Sequence, residues 1–413
     1  MSRRVYASIV SANYLAHALV LRDSLLLHQA EARFELLLVE RRSSALVHKL
    51  QSLGLKARFA EDLGLAQFER LAFKFDILEL NTALKPSFLR RLFEEGCEEL
   101  IYVDPDICFY APPLALEEAW REYEVLLTPH ALAPILDGER PSDIDFLRNG
   151  VFNLGFVALR KGPTAQAMLS WWENRCLGLG FNDVGFGTFV DQKWMDLAPA
   201  YFEGVGILRD KGCNVAYWNL HEREVTRLGE EYRVARQPLV FFHFSGLNPA
   251  TPNVLSKHQT RHAIEAGTVL QGLVANYAKA LQTAGLGQYQ GLDYSFARLD
   301  DGQAITPLMR RALCCQGVNE VHPFAAQSAF QRELRRCGLH AGPAQPAGVR
   351  TANLHALGWK LRLADGMVRL LARLMRADRM AQLLRYAALL SREAHLASVL
   401  LRRPLRMDHL PRE

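Results

Sequence analysis

Through about residue 245, short apolar runs suited to strands alternate with segments of helical periodicity, and this alternation limits the fold more than any other feature. Residues 5–10 form a first apolar run. Residues 15–28 then place Leu15, Ala18, Leu19, Leu25 and Leu26 on one helical stripe. Residues 35–39 read as a second strand, 44–53 as a helix, and 85–93 as a helix opened by Pro86. Strand-like runs recur at 99–104, 123–128, 154–159 and 239–244. Strands alternating with helices predict an α/β fold whose mostly parallel sheet is covered on both faces. The segment 129–150, richer in Pro, Asp, Gly and Arg, is expected to loop over the sheet edge. After residue 265 the pattern turns helical, which predicts an α/β domain over 1–265 and a mainly helical region over 266–413. Within that region, 284–304 and 339–350 read as connections.

Composition narrows the class. The apolar share of 49% and charged share of 23% are those of a globular chain, and 413 residues can bury a large core. No run of 18 or more uncharged apolar residues occurs, so no membrane-spanning helix is expected. The start, Met-Ser-Arg-Arg, lacks the apolar segment of a signal peptide. Seven cysteines at irregular spacing form neither a zinc pattern nor a disulfide framework, which fits a reducing cytoplasm. Residues 351–413 carry 12 Lys and Arg against 5 Asp and Glu, while the rest carry 37 against 39. The excess positive charge therefore sits in the last 63 residues, and the first 350 show no bias toward nucleic acid.

The most chemically informative stretch is 99–110, Glu-Leu-Ile-Tyr-Val-Asp-Pro-Asp-Ile-Cys-Phe-Tyr. An apolar run ends in Asp104 and Asp106, at the kind of strand end where open α/β sheets bind ligands. Strand alternation would point both carboxylates the same way. Two converging carboxylates repel unless a divalent cation lies between them, and Mg²⁺ or Mn²⁺ favours such oxygen ligands. A polar turn built on Pro105 is the plainer alternative.

Other clusters stand in the same balance. Ser11-Ala12-Asn13-Tyr14 closes the first strand without glycine, so no dinucleotide fingerprint or phosphate-cradling loop is present. Asn13 and Tyr14 suit a nucleobase, or a helix cap and a core aromatic. Asn153 and Gly155 flank a strand start, where they serve sugar hydroxyls and close backbone approach or simply a turn. Asp191 with Gln192 can bind hydroxyls or move a proton, and Asp196 can cap a helix. Residues 213–222 mix amides and aromatics as carbohydrate sites do. His243, at the end of the last apolar run, is either a core histidine or a ligand to a transition cation. Residues 256–261, with Lys257 and Arg261, offer cations for a diphosphate or a solvated helix start.

In combination and order, these motifs resemble the GT-A glycosyltransferases, most closely the sugar-nucleotide enzymes of glycosyltransferase family 8. The stretches Phe-Val-Asp-Gln-Lys-Trp-Met-Asp-Leu, Asn-Val-Ala-Tyr-Trp-Asn-Leu-His and Phe-Phe-His-Phe-Ser-Gly are also similar to bacterial glycosyltransferases of surface polysaccharide synthesis. The resemblance spans roughly residues 4–262. It implies a GT-A, Rossmann-like domain that transfers a sugar, as hexosyltransferases do, from a nucleotide-diphosphate donor (UDP-linked) to a saccharide or lipid-linked acceptor. It further implies that Asp104 and Asp106 bind Mn²⁺ or Mg²⁺ and the donor diphosphate, with His243 as a further metal ligand. Asn13 and Tyr14 would face the base, and Asn153, Asp191 and Gln192 the sugar. The family places a lysine a few residues after the late glycine. Here Asn248-Pro249 stands there, and the nearest lysine is Lys257.

Three rivals share parts of this pattern. A nucleotidyltransferase uses similar carboxylates but wants a Gly-rich, basic first loop. A haloacid-dehalogenase-like phosphatase places a polar pair where Ile107-Cys108 stands. A carbohydrate-binding protein without catalysis would share the amides and aromatics. Near the C-terminus, Met367, Leu370, Leu371, Leu374 and Met375 form one helical face, with Arg362, Arg369, Arg373 and Arg376 opposite. That face is expected to pack on the catalytic domain, join a second subunit, or lie peripherally on the anionic inner membrane surface.

Overall fold

The computed structural model describes residues 4–315, 322–339, 366–367 and 377–404. The described residues of Met1–Phe68 and Ile77–Phe296 form one compact unit, and those of Glu69–Asp76 and Ala297–Met407 a second.

The first unit is built on a seven-stranded sheet. Its strands are β1 (Arg4–Val10), β2 (Arg33–Leu38), β3 (Ala57–Phe59), β4 (Glu99–Val103), β6 (Val125–Pro129), β7 (Phe152–Arg160) and β8 (Val205–Ile207). Their spatial order is β8-β6-β7-β4-β1-β2-β3. All neighbours run parallel except at β7, which is antiparallel to both β4 and β6. A separate pair joins β5 (Ile107–Phe109) antiparallel to β9 (Phe241–His243). The expected fold class, a mostly parallel Rossmann-like sheet flanked by helices with a mainly helical C-terminal region, is the one observed.

The sequence accounts for this arrangement. Val5–Val10 is buried at every position, as a central strand covered on both faces must be. Helix α1 (Leu15–His28) follows β1 after one short turn and buries Leu15, Ala18, Leu19 and Leu25 of the expected stripe, while Leu26 is half-buried. Helix α2 (Lys85–Glu94) opens with Pro86 in its first turn, where proline's missing N–H costs nothing. The pleat of β9 sends Phe241 into one apolar cluster with Tyr6, Ile101 and Phe156. Phe242 goes into another with Leu38, Phe244 and Tyr277. The segment 129–150 loops as expected but also contains the short helix Asp143–Asn149.

The reversed strand β7 positions the site. Because it runs against β4 and β6, its beginning lies beside their carboxyl ends, with Phe152 opposite Pro129 and Phe156 opposite Val103. Thr128, Asp104 and Asn153 are thereby drawn to one edge of the sheet.

In the second unit, helices Pro307–Ala312, Ala329–Arg336, Ala377–Leu390 and Glu393–Leu401 dominate the described residues. Arg310 is buried and donates through Nη1 to the carbonyls of Ala72, Phe73 and Phe75 at 3.2, 2.9 and 2.7 Å. Apart from Met367, the apolar face expected over 367–375 and the arginines opposite it lie outside the described residues. All seven cysteines are unpaired. Among the described residues, no helix is long and apolar enough to cross a membrane.

Candidate functional site

Strand β4 ends at Val103, and the chain then turns. Ile107 N–H donates to the Asp104 carbonyl at 3.1 Å, closing a four-residue turn around Pro105. Asp104 and Asp106 therefore converge through a turn and not through the strand alternation expected from the sequence. The outcome is the same and the cause is different. Asp104 is pinned by its own N–H, which donates to Gly155 O at 2.8 Å, and by Tyr102 Oη, which donates to its Oδ1 at 2.8 Å.

His243 reaches this turn because β9 pairs with β5, placing His243 opposite Ile107. Phe244 N–H donates to Asp106 O at 2.8 Å, which ties the two segments just beyond the strands. His243 Nε2 lies 3.0 Å from Asp106 Oδ1 and 4.0 Å from Asp104 Oδ2. One ligand atom from each of the three residues lies within 4.8 Å of the others. Two carboxylates and an imidazole so placed form a hard-to-borderline donor set able to hold a divalent cation. Burial works to raise the Asp106 carboxyl, but the His243 imidazole outweighs it and holds Asp106 low. His243 mirrors this: burial works to lower it, and Asp106 raises it past its ordinary value.

Gly155 explains how closely the imidazole is seated. A Cβ there would stand 2.3 Å from His243 Cε1 and 2.8 Å from its Nδ1. The close approach that the glycine permits is made by the protein's own histidine.

A second charged group lies alongside. Lys85, buried at the start of α2, places Nζ 2.6 Å from Asp191 Oδ2 and 3.9 Å from Asp104 Oδ1. The same ammonium donates to Leu154 O at 2.7 Å and sits 4.2 Å from the centre of the Tyr102 ring. Asp191 is itself buried, and burial pushes its carboxyl up although Lys85 pulls the other way. Lys85 escaped the sequence reading. A lysine in the first turn of a helix, against the positive end of the dipole, was the available signal.

The amides form a third layer. Gln192 is committed to the fold: Oε1 accepts from Leu154 N–H at 3.1 Å, and Nε2 donates to Asn149 O at 2.9 Å. Asn153 Oδ1 accepts from Gly155 N–H at 3.2 Å and from Asn214 Nδ2 at 3.1 Å. Asp196 caps no helix. Its Oδ1 accepts from Val151 N–H at 2.8 Å, and its Oδ2 pairs with Lys193 at 2.7 Å. The run 213–222, expected from the sequence to mix amides and aromatics, supplies two fully buried amides, Asn214 and Asn219. Asn219 Nδ2 donates to the carbonyls of Asn214 at 3.0 Å and His130 at 3.1 Å, which fixes the turn that carries Asn214.

On the other side, Asn13 does not cap a helix, and its Oδ1 is buried with no hydrogen-bond partner among the described residues. Tyr14 stacks on His17 with ring centres 4.4 Å apart. Burial, then the carboxylates of Asp106 and Asp104, push the Tyr14 hydroxyl up to about 12. Burial holds the neighbouring His17 down at about 4, so it is neutral. Lys257 is exposed, and its N–H donates to Gly246 O at 3.2 Å, so the loop between them returns this residue to the late glycine. The run 256–261 forms no helix start. Arg261 turns away to bond Asp137 Oδ2 at 2.5 Å and Pro141 O at 2.8 Å.

No protein-family model matches the chain. Two curated Bacillus subtilis (strain 168) proteins, both named as uncharacterized, are similar over part of their length. YfnF is 29% identical over 185 residues, which cover 43% of this chain and 60% of that protein. YfnD is 27% identical over 172 residues, covering 41% and 53%. The match thus spans little more than half of these relatives. Among solved structures, the galactosyltransferase LgtC with donor and acceptor sugar analogues is 14% identical, covering 70% of this chain and 97% of that one, with a TM-score of 0.36. The glycosyltransferase GlyE of Streptococcus pneumoniae TIGR4 is 12% identical, covering 68% and 63%, with a TM-score of 0.38. Mouse xyloside xylosyltransferase 1 is 15% identical, covering 52% and 88%, with a TM-score of 0.33. These likenesses are remote, and the chemistry assigned to this chain rests on its own residues.

Proposed function

We propose that this chain is a metal-dependent glycosyltransferase of the GT-A type, akin to family 8, that moves a hexosyl group from a UDP-linked donor to a saccharide or lipid-linked acceptor in bacterial surface glycan synthesis. The observation that carries the reading is the convergence of Asp104, Asp106 and His243 at the edge formed by the ends of β4 and β9. These three residues hold Mn²⁺ or Mg²⁺, and a cation there supplies charge neutralisation for the leaving diphosphate.

The remaining residues orient the donor. Asn13, with an unused buried oxygen, and Tyr14 face the nucleobase. Beside them, Ala12, Glu40, Lys49 and Tyr289 line a cavity of about 580 Å³ that gives the nucleoside room. Lys257, returned to Gly246, contacts the diphosphate. Asp191 and Asn153 form the sugar-facing wall, and Gln192, expected there too, supports it by holding Leu154. The tight ion pair of Asp191 with Lys85 suits positioning better than proton abstraction, because a carboxylate only 2% exposed and held 2.6 Å from an ammonium is not free to reach an acceptor hydroxyl. That favours a retaining course for the transfer.

The test is a panel of nucleotide sugars in a thermal-shift assay with and without Mn²⁺. A ligand bound only by the native state raises its stability, so the true donor raises Tm in the presence of Mn²⁺ and less in its absence. Stabilisation by no nucleotide sugar, or donor hydrolysis indifferent to chelation, would overturn the reading. Binding without hydrolysis or transfer would favour a carbohydrate-binding protein.

A further inference from the structure

The orientation of a side-chain amide is settled when its neighbours can only donate or only accept. Gly155 N–H can only donate, so the Asn153 atom 3.2 Å away is its oxygen. Gln192 Oε1 is fixed as an acceptor by Leu154 N–H, and it lies 3.5 Å from the other end of Asn153, which must be the amide nitrogen. Asn153 therefore presents oxygen to Asn214. The Asn214 atom 3.1 Å away must then be a donor, Nδ2, which also reaches Thr128 Oγ1 at 2.7 Å. What remains of Asn214, the acceptor Oδ1, faces His243 Nδ1 at 3.3 Å. The order of donors and acceptors thus runs without a break from a backbone N–H to the imidazole.

We propose that Asn214, oriented through Asn153 by the Gly155 N–H, is a positioning residue that keeps the proton of His243 on Nδ1 and leaves the Nε2 lone pair for a divalent cation shared with Asp104 and Asp106. The inference rests on the metal part of the proposed function and not on the donor. Asn214 is fully buried and holds a left-handed backbone (φ +55°). Asparagine tolerates that conformation better than any side chain of similar shape, which accounts for an amide at this corner. A ligating histidine whose other nitrogen has a fixed acceptor keeps both its tautomer and its ring orientation.

The experiment measures Mn²⁺ binding by the full-length chain from the loss of the free-Mn²⁺ EPR signal, with no nucleotide present, beside urea melts. Asn214→Gly accepts the positive φ and deletes the amide. Asn214→Asp keeps an acceptor for the His243 Nδ1–H but turns a second oxygen against Asn153 Oδ1. We expect Asn214→Gly to bind Mn²⁺ at least about tenfold more weakly than wild type, and Asn214→Asp to stay within about threefold although it is the less stable variant. At the next link, Asn153→Leu should weaken Mn²⁺ binding and Asn153→Asp should not. The Asn153 pair decides the matter if either Asn214 variant fails to fold. Affinity that simply follows stability, wild-type affinity in Asn214→Gly and Asn153→Leu, or no Mn²⁺ capture by wild type would overturn the proposal. Failure of every nucleotide sugar to bind would sink the donor assignment and leave this one standing.

Discussion

Two carboxylate sites lie side by side in this protein, one buried and one half-buried, and the fold treats them differently. Asp191 has its counter-charge built in, with the Lys85 ammonium 2.6 Å away and both side chains 2% exposed. Asp104 and Asp106 face an imidazole and only the distant edge of Lys85, 3.9 Å from Asp104. Charge that the chain neutralises with its own residues is structural or positioning charge. Charge left facing a polarisable ring at a sheet edge awaits a ligand. The open carboxylates are also more exposed, Asp104 at 31% and Asp106 at 21% against 2% for Asp191, but His243 is as buried as Lys85, so at that position the sign of the neighbours makes the distinction.

The largest expected effect breaks the open site. Asp106→Ala or Asp104→Ala should lower transfer by about a thousandfold or more, because a charged metal ligand contributes several kcal/mol to transition-state stabilisation. The fold should survive, since neither carboxylate packs in the core. Donor hydrolysis measured across Mn²⁺ concentrations checks this, and metal-dependent activity at the wild-type level would refute it.

Next comes the closed pair. Lys85→Met strands the buried Asp191 charge and should cost about 3–5 kcal/mol in urea unfolding. Adding Asp191→Leu should restore most of that stability, because an apolar pair of similar volume is often neutral. Activity should not return with it. A double variant that remains as unstable as Lys85→Met alone would mean that the two residues are not coupled as drawn.

The third prediction probes the ring that completes the open site. His243→Ala should weaken Mn²⁺ binding by about tenfold or more, with a loss of stability that Mn²⁺ no longer offsets. Unchanged Mn²⁺ affinity beside a lowered Tm would make His243 a core residue after all.

The smallest effect belongs to a pair whose carboxylate, Asp137, is exposed and which calibrates the others. Side-chain hydrogen bonds from Arg261 hold the Asp137 carboxyl well below its ordinary range. A depressed carboxylate contributes stability above its unfolded pKa, near 4, and loses it as pH falls through the folded value. Arg261→Gln should therefore lower Tm slightly at neutral pH, and the difference from wild type should shrink under acid. A difference that grows instead would place the linkage elsewhere.

Much of the fold was legible because its signals are local. The strand and helix runs up to residue 244 show their periods in the sequence, and Pro86 opens α2 where it was expected to. The chemistry was legible where types and spacing are distinctive, as in Asp104-Pro105-Asp106 and a histidine ending the last apolar run. Lys85, Thr128 and Asn214 were invisible for a physical reason: each gains its role from partners 29–106 residues away in sequence. Lys85 reads as an ordinary helix residue until β7 and the Asp191 turn close over it. Asn214 reads as one amide among several until the pairing of β9 brings His243 beside it.

The sequence by itself determined which residue types stand at the strand ends, because hydrophobic period and turn chemistry act within a few residues of the chain. Only the tertiary structure decided what those residues face. One reversed strand, β7, carries Asn153 and Gly155 back beside the ends of β4 and β6, and the pairing of β9 with β5 seats the imidazole against the Asp104–Asp106 turn. Strand direction and partner choice are set by contacts summed over the whole core, and no single segment of sequence contains that sum.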